Sequence, residues 1–405
     1  MTLKNNGGIA EVTPGSDVNN HIHTTFSFSP YSPTLALTMA HDAGLSTAGI
    51  MDHDSIGGAA EFVAAGEILG MTTTVGVECR VSVEGTPLAG RRLNNPDQIS
   101  VAYMALHGIP HTQFDRVREF FAPYIEARLV RNRKMTDNIN ALIASSGIKL
   151  DFDRDVLSIS EYKNGGTVTE RHLLFALSQR ITHSFGHGAG CVDFLKNKLN
   201  IPVSAKAETL LTDADNPHYE YDLLGVLKSD MVEKFYIPAT DECPKVRDIL
   251  ALSKEISAVA AYAYLGDVGS SVTGDKKAQT FEDSFIELLF ETISELGYNA
   301  VTYMPSRNTQ EQLDRVMALC DKHGLFQISG EDINSPRQKF ICEKQRDAAF
   351  AHLNDATWAL IGHERAATEA LENGMFSEKT IKSYPALAER IKLYSKIGRG
   401  VQTAV

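Results

Sequence analysis

Two rhythms of apolar and polar positions alternate along the chain: short runs rich in β-branched residues, and longer stretches with helical spacing. After a polar, Gly-containing tail over 1–16, residues 17–24 predict a strand, and Ser32 or Thr34 with Pro33 starts a helix that Gly44 ends. STAGIM (46–51) predicts a second strand, Gly57-Gly58 opens a helix to about 69, and TTTVGVECRVSV (72–83) alternates as a third strand. A Gly- and Pro-containing hairpin leads to a fourth strand over 99–107. From about 112 to 250 only helical patterns and loops follow, the longest over 113–146, with no repeat at a fixed period. The alternation then resumes with helix 244–256, strand 257–264, helix 280–296, strand 298–304, a capped helix over 307–324 and strand 325–330. Helices over 344–372 and 377–396 are expected on the outside. Seven strands, most followed by a helix, predict an α/β fold: a parallel (β/α) barrel with a helical insertion after its fourth strand. Its parts read as a flexible tail (1–16), a first barrel part (17–111), a helical insertion or cap (112–243), a second barrel part (244–343) and C-terminal helices (344–405).

In such a barrel the functional side chains sit at the C-terminal ends of strands. Those positions hold His21, His23, Asp52, His53, Asp54, Glu78, His107 and Asp332. His21 and His23 share one face of a strand about 7 Å apart, near enough to reach one ion. Imidazoles and carboxylates converging on one mouth suit one or more divalent metals, with Zn, Mn or Fe favoured over Ca.

Composition narrows the function without choosing it. The 405 residues are 43% hydrophobic and 22% charged, and a net charge of −12 argues against a nucleic-acid-binding surface. Five scattered cysteines without a CxxC pair argue against a zinc ribbon or a disulfide scaffold. The first twenty residues lack an apolar signal core and no 18-residue apolar run follows, so a cytoplasmic protein with no membrane partner is expected.

HIHTTFS (21–27), then GLSTAGIMDHDSIGGAAEF (44–62), then VGVE (75–78) resemble the PHP family (polymerase and histidinol phosphatase), over about 18–111 and 255–340. GGTVTERHLLFAL (165–177) is similar to an insertion segment of the family's nucleotide-phosphatase-like members. The resemblance implies a metal-dependent phosphoesterase on a distorted seven-stranded α/β barrel. It makes His21, His23, Glu78 and Asp332 ligands of a first metal, Glu78 and His107 ligands of a second, and His53 a ligand of a third. The chain departs from the family pattern at Phe28, where a ligand is common after HxH, at Tyr264 in the late strand motif, and at Asn334, which stands where His is usual. A reduced cluster of one to three ions, with one or two expected, follows; Asp267 is a positional substitute at the second site.

The expected reaction is hydrolysis of a small phosphorylated metabolite, a nucleotide or sugar phosphate, by metal-bound hydroxide. Asp52, His53 and His172 are candidates for proton transfer, and Arg171, Arg307, Arg337 and Lys276 for phosphate binding, with Asn334 kept as a candidate ligand. Lys276-Lys277 lie in a Gly-containing loop suited to close over a ligand. His183, His187 and Cys191 are spaced four apart but interrupted by glycines. Arg128, Arg131, Arg133 and Lys134 read as a solvated basic stripe, and Cys79 as a core residue. Two rival classes remain: a binding or regulatory protein on a weakened PHP scaffold, and a nuclease, which the net charge disfavours.

Overall fold

A computed structural model describes residues 16–268 and 279–401, so the expected tail (all but Ser16) and the Lys276-Lys277 loop lie outside the described residues. The first half of the sheet follows the predicted rhythm: β1 (Val18–Ile22), α1 (Pro33–Asp42), β2 (Thr47–His53), α2 (Ala59–Leu69), β3 (Thr72–Ser82) and β4 (Val101–His107). Local chemistry sets these boundaries. The Ser32 hydroxyl accepts from the Leu35 N–H ahead of Pro33, and Gly70 closes α2 in the left-handed conformation. Helices α3 (Phe114–Leu142), α4 (Glu170–Phe185), α5 (Ala189–Asn197), α6 (Ala205–Thr212) and α7 (Tyr219–Phe235) come next. Then α8 (Val246–Glu255), β5 (Val259–Ala263), α9 (Ile286–Leu296), β6 (Ala300–Tyr303), α10 (Gln310–His323) and β7 (Phe326–Ser329) restore the alternation. The chain ends in α11 (Ala351–Glu369), α12 (Glu378–Ser383) and α13 (Leu387–Gly398).

The seven strands form one sheet in chain order. β1, β2 and β3 run parallel, as do β5, β6 and β7, but β4 is antiparallel to both neighbours, which corrects the all-parallel expectation. Parallel neighbours need a long crossover, normally a helix. Residues 83–100 form none, only turns in which Gly85 and Gly90 take positive φ, so β4 returns along β3. Beyond β7 the sheet curls back on itself: the His23 N–H donates to Ile333 O (2.9 Å) and the Ile333 N–H to His21 O (3.1 Å).

One face of the sheet packs Ile50, Val77, Leu106 and Val301 against α1, α2, α8, α9 and α10. The other packs Val259, Ala261, Ala300, Phe326 and Ile328 against Ala356, Ala359 and Leu360 of α11. Directly paired residues share a face; Glu78 pairs with Ala105, and Ala105 with Ala261, so Glu78 lies on the α11 side. The helix expected outside therefore lies on the inner face. Buried residues run almost all the way round α11, many of them Ala, Gly or Thr that let its backbone come close. Glu364 of α11 accepts from the Thr74 hydroxyl (2.7 Å) and the Val75 N–H (2.8 Å), so the helix occupies the end where β3 begins and leaves the opposite end to chemistry.

Helices α3 to α7 share a second hydrophobic cluster, built on Met135, Ile139, Leu177, Leu223 and Phe235, which Phe28 from the loop after β1 joins. A buried charge network ties this cluster to the sheet. Arg128 bonds Asp54 Oδ2 (2.8 Å) and Glu242 Oε1 (3.2 Å); Arg131 bonds Glu242 and Glu170; Arg80 of β3 bonds Glu242 and, at 3.2 Å, Glu170. Arg128 and Arg131 are thus not part of a solvated stripe. They face the sheet from one side of α3, while Arg133 and Lys134 stay exposed as expected. Among the described residues no helix is long and apolar enough to cross a membrane.

Candidate metal centre

Three neighbouring strands and the segment after the seventh bring five donors together. His21 and His23 lie at and just beyond the end of β1, His53 ends β2 and pairs directly with Glu78 within β3, and Asp332 follows β7. His23 Nε2 lies 3.2 Å from His21 Nε2, 3.2 Å from Asp332 Oδ1 and 3.9 Å from Glu78 Oε2. Glu78 spans the group: Oε1 is 3.7 Å from His21 Nε2 and Oε2 is 3.1 Å from His53 Nδ1. Two triads, His21/His23/Asp332 and His23/His53/Glu78, each hold their donor atoms within 4.8 Å.

These donors fit a cation. Two imidazole nitrogens pressed together beside two carboxylates form an electron-rich pocket, which needs positive charge at its middle. Burial lowers His21 against the pull of Glu78, and burial with the charges of His23 and Arg128 takes His53 down to about 3, so both rings are neutral at ordinary pH. Burial also pushes the Glu78 carboxyl up. For the remaining pair burial disfavours both charges, yet their mutual hydrogen bond and attraction prevail: Asp332 is held well below the usual carboxylate range and His23 is raised. The pocket draws a positive charge to His23 Nε2, where a metal would take the proton's place.

The other predicted residues are distributed around this group. Asp52 is buried and accepts three hydrogen bonds, from the Thr24 N–H (2.7 Å), the Thr24 hydroxyl (2.6 Å) and the Ser27 hydroxyl (2.6 Å). His107 lies deeper: β4 runs backwards, so its C-terminal end points toward the α11 end, and His107 belongs to neither triad. Burial and the charge of His21 lower His107 to about 3, and its Nε2 is buried with no hydrogen-bond partner among the described residues. Asn334 is a bridge: its amide donates to Asp332 Oδ1 (2.6 Å) while its Oδ1 accepts from Arg171, whose guanidinium also sits 5.7 Å over the Phe28 ring. His172 is buried edge-on to Phe28 (5.0 Å), its Nδ1 accepts from the Thr169 N–H (3.0 Å), and burial takes it down to about 3.

Several candidates stand elsewhere. Arg337 is forked onto Asp222 (2.7 Å from both Nε and Nη2), away from the triads. Arg307 is half-buried in the turn after β6. Asp267 accepts from the Phe281 N–H (2.5 Å), and the Tyr264 hydroxyl donates to Asp283 (2.5 Å), so neither joins the cluster. His187 is held by Glu220 (3.1 Å) and stacks on Tyr219 at 4.0 Å, and no metal triad forms with His183 and Cys191 among the described residues. Cys79 is buried in the helix-covered core, as expected. Sequence reasoning gave no role to Ser27, whose hydroxyl lies 3.2 Å from His23 Nδ1, or to Tyr103, whose ring lies 5.8 Å from His53. The antiparallel return of β4, which the hairpin turn residues signal, is what brings Tyr103 beside His53.

No family model matches the chain, and no curated relative matches it. Solved structures do. A candidate metal-dependent phosphoesterase from Bifidobacterium adolescentis aligns with a TM-score of 0.55 at 20% identity, covering 84% of this chain and 96% of its own. An amidohydrolase from Chromobacterium violaceum, solved with bound sulfate and no metal, aligns with a TM-score of 0.52 at 17% identity, covering 81% and 90%. At these identities the likeness is one of fold, and this chain shares the curled α/β sheet of proteins so described.

Proposed function

We propose that this protein is a metal-dependent phosphoesterase on a PHP-type barrel, with residues 112–243 acting as a helical insertion that caps the mouth and admits small phosphorylated metabolites, nucleotide or sugar phosphates. The convergence of His21, His23, His53, Glu78 and Asp332 carries the reading. These residues would hold one or two ions of Zn, Mn or Fe. A divalent ion supplies Lewis acidity there, lowering the pKa of water and offsetting phosphate charge. Arg171 approaches from the capping helices on the Asp332 side and would meet the phosphate oxygens. His172, whose Nδ1 takes the Thr169 N–H, keeps its hydrogen on Nε2 as a neutral ring and would donate a hydrogen bond to the leaving oxygen. Asp52 has all its bonds committed to Thr24 and Ser27 and serves as a brace.

The test is phosphate release from a panel of phosphorylated metabolites with Mn, Zn and Fe. Metal-dependent turnover of a small phosphomonoester that Glu78→Gln abolishes supports the reading; turnover that survives Glu78→Gln, or that chelators leave untouched, refutes it. A second reading, a binding or regulatory protein, is favoured by Phe28: where the family resemblance leads one to look for a ligand, this ring is packed into the helical cluster. Metal binding without turnover of any panel member would select it.

A further inference from the structure

The two triads share His23, so the cluster has two ends: Asp332 belongs to one triad, His53 and Glu78 to the other. Arg171 serves the Asp332 end through Asn334. At the His53 end the sheet continues into β4, and its register decides which residue stands there. Glu78 pairs with Ala105 and Arg80 with Tyr103, so Tyr103 lies on the face of Glu78, one pleat further toward the C-terminal end of β3. Its ring centre is 5.8 Å from that of His53, tilted by 44°. The backbone beneath the ring is clamped: the Tyr103 N–H donates to Asn94 Oδ1 (2.7 Å), and the Asn94 amide donates to Tyr103 O (2.8 Å) and Ala263 O (2.5 Å). Every other residue of β4 is buried, whereas Tyr103 is half-buried. Its hydroxyl makes no hydrogen bond among the described residues and is reached by solvent. The guanidiniums on this side are differently placed. Arg80, Arg128 and Arg131 are buried and bonded to Asp54, Glu170 and Glu242. An anion on the cluster thus meets a guanidinium at the Asp332 end and a phenol at the His53 end. A phenol keeps its proton at neutral pH, its ordinary pKa being about 10, and donates it in a hydrogen bond.

We propose that Tyr103 is a substrate-binding residue whose hydroxyl donates to a phosphate oxygen at the His53 end of the cluster, while Arg171 holds the Asp332 end; this rests on the phosphoesterase reading above for its ligand. Recognition of the phosphate then has one element borne by the sheet and one by α4.

The experiment compares wild type with Tyr103→Phe, which removes the hydroxyl and keeps the ring. Because that hydroxyl makes no hydrogen bond among the described residues, its loss leaves the fold intact. Inorganic phosphate is titrated calorimetrically into the zinc-loaded proteins, zinc content is measured alongside, and the panel of phosphorylated metabolites is run on both. Tyr103→Phe is expected to bind phosphate about 10- to 100-fold more weakly than wild type at unchanged zinc content, the range for a hydrogen bond to a charged group. Equal phosphate affinity in the two proteins overturns the proposal, even where wild type turns over a panel member. A fall in phosphate affinity that merely follows a loss of zinc overturns it too, since Tyr103 would then support the ion site rather than the substrate. If wild type binds phosphate but releases none from any panel member, the phosphoesterase reading fails, while the affinity of Tyr103→Phe still decides the role of Tyr103.

Discussion

Two arms reach the cluster, and they are built differently. The sheet arm is local: His23, Ser27, Thr24 and Asp52 come from β1, the loop after it and β2, all buried, joined by bonds of 2.6 to 3.2 Å. The helical arm is long-range: Arg171 at the start of α4 holds Asn334, which holds Asp332, across 163 residues of sequence and at a partly exposed position. An arm formed within a sheet is complete once the strands pair. One that depends on a helix docking against the sheet is complete only when that docking holds. The structure thus separates the half of the site built within the sheet from the half that reaches it from α4.

Breaking the docking alone is the largest test. Glu242 is buried and takes bonds from Arg80, Arg128 and Arg131 at once. Glu242→Ala leaves three guanidiniums with only Asp54 and Glu170 as carboxylate partners, and removal of one partner from a buried ion pair costs about 3–5 kcal/mol. Urea unfolding should show a loss of that size, and zinc affinity of the folded fraction should fall only as far as Asp332 depends on Arg171.

A second test asks whether the sheet can be perturbed without touching either arm. Glu282 is buried beneath Leu265, whose N–H it accepts at 2.9 Å, and burial pushes its carboxyl from 4.5 up to about 7. Because the folded-state value is the higher one, stability present below about pH 4.5 is lost as pH rises through about 7. Glu282→Gln should flatten that slope and recover about 3 kcal/mol above pH 8, since each pH unit across that interval is worth roughly 1.4 kcal/mol, with zinc affinity unchanged.

How much of this was legible in the sequence follows the same division. The sheet arm's donors were readable, because two histidines at i and i+2 and a DHD at a strand end are local patterns; the caps were narrowed to Ser32 or Thr34 and to Asn308 or Thr309, and the structure selects Ser32 and Thr309. The direction of β4 was half-legible: the turn residues at 83–100 call for a hairpin, yet counting strands and helices favoured a parallel barrel. The inner position of α11 was not legible, since a helix rich in Ala and Gly reads alike on a surface or inside a curled sheet. Nor were buried Arg128 and Arg131, whose carboxylate partners stand tens of residues away or more and become neighbours only when the helices dock.

Smaller effects sharpen the contrast between the arms. Arg171→Ala should raise KM for a phosphorylated substrate about tenfold, worth ~1.4 kcal/mol, while zinc affinity changes far less than in Glu78→Gln; equal losses in both would merge the two arms into one. Smallest of all is Arg337→Ala. Its fork on Asp222 is partly exposed, and pairs of this kind contribute about 0–1 kcal/mol, so stability and KM should move little.

The central claim is that these five side chains hold a metal. Elemental analysis of protein purified without chelators, wild type beside Glu78→Gln, tests it most directly. About one to two transition-metal ions per chain in wild type, and a marked loss in Glu78→Gln, is the predicted result. Metal-free wild type that takes up none on addition of Zn, Mn or Fe, or equal metal content in both proteins, would contradict it.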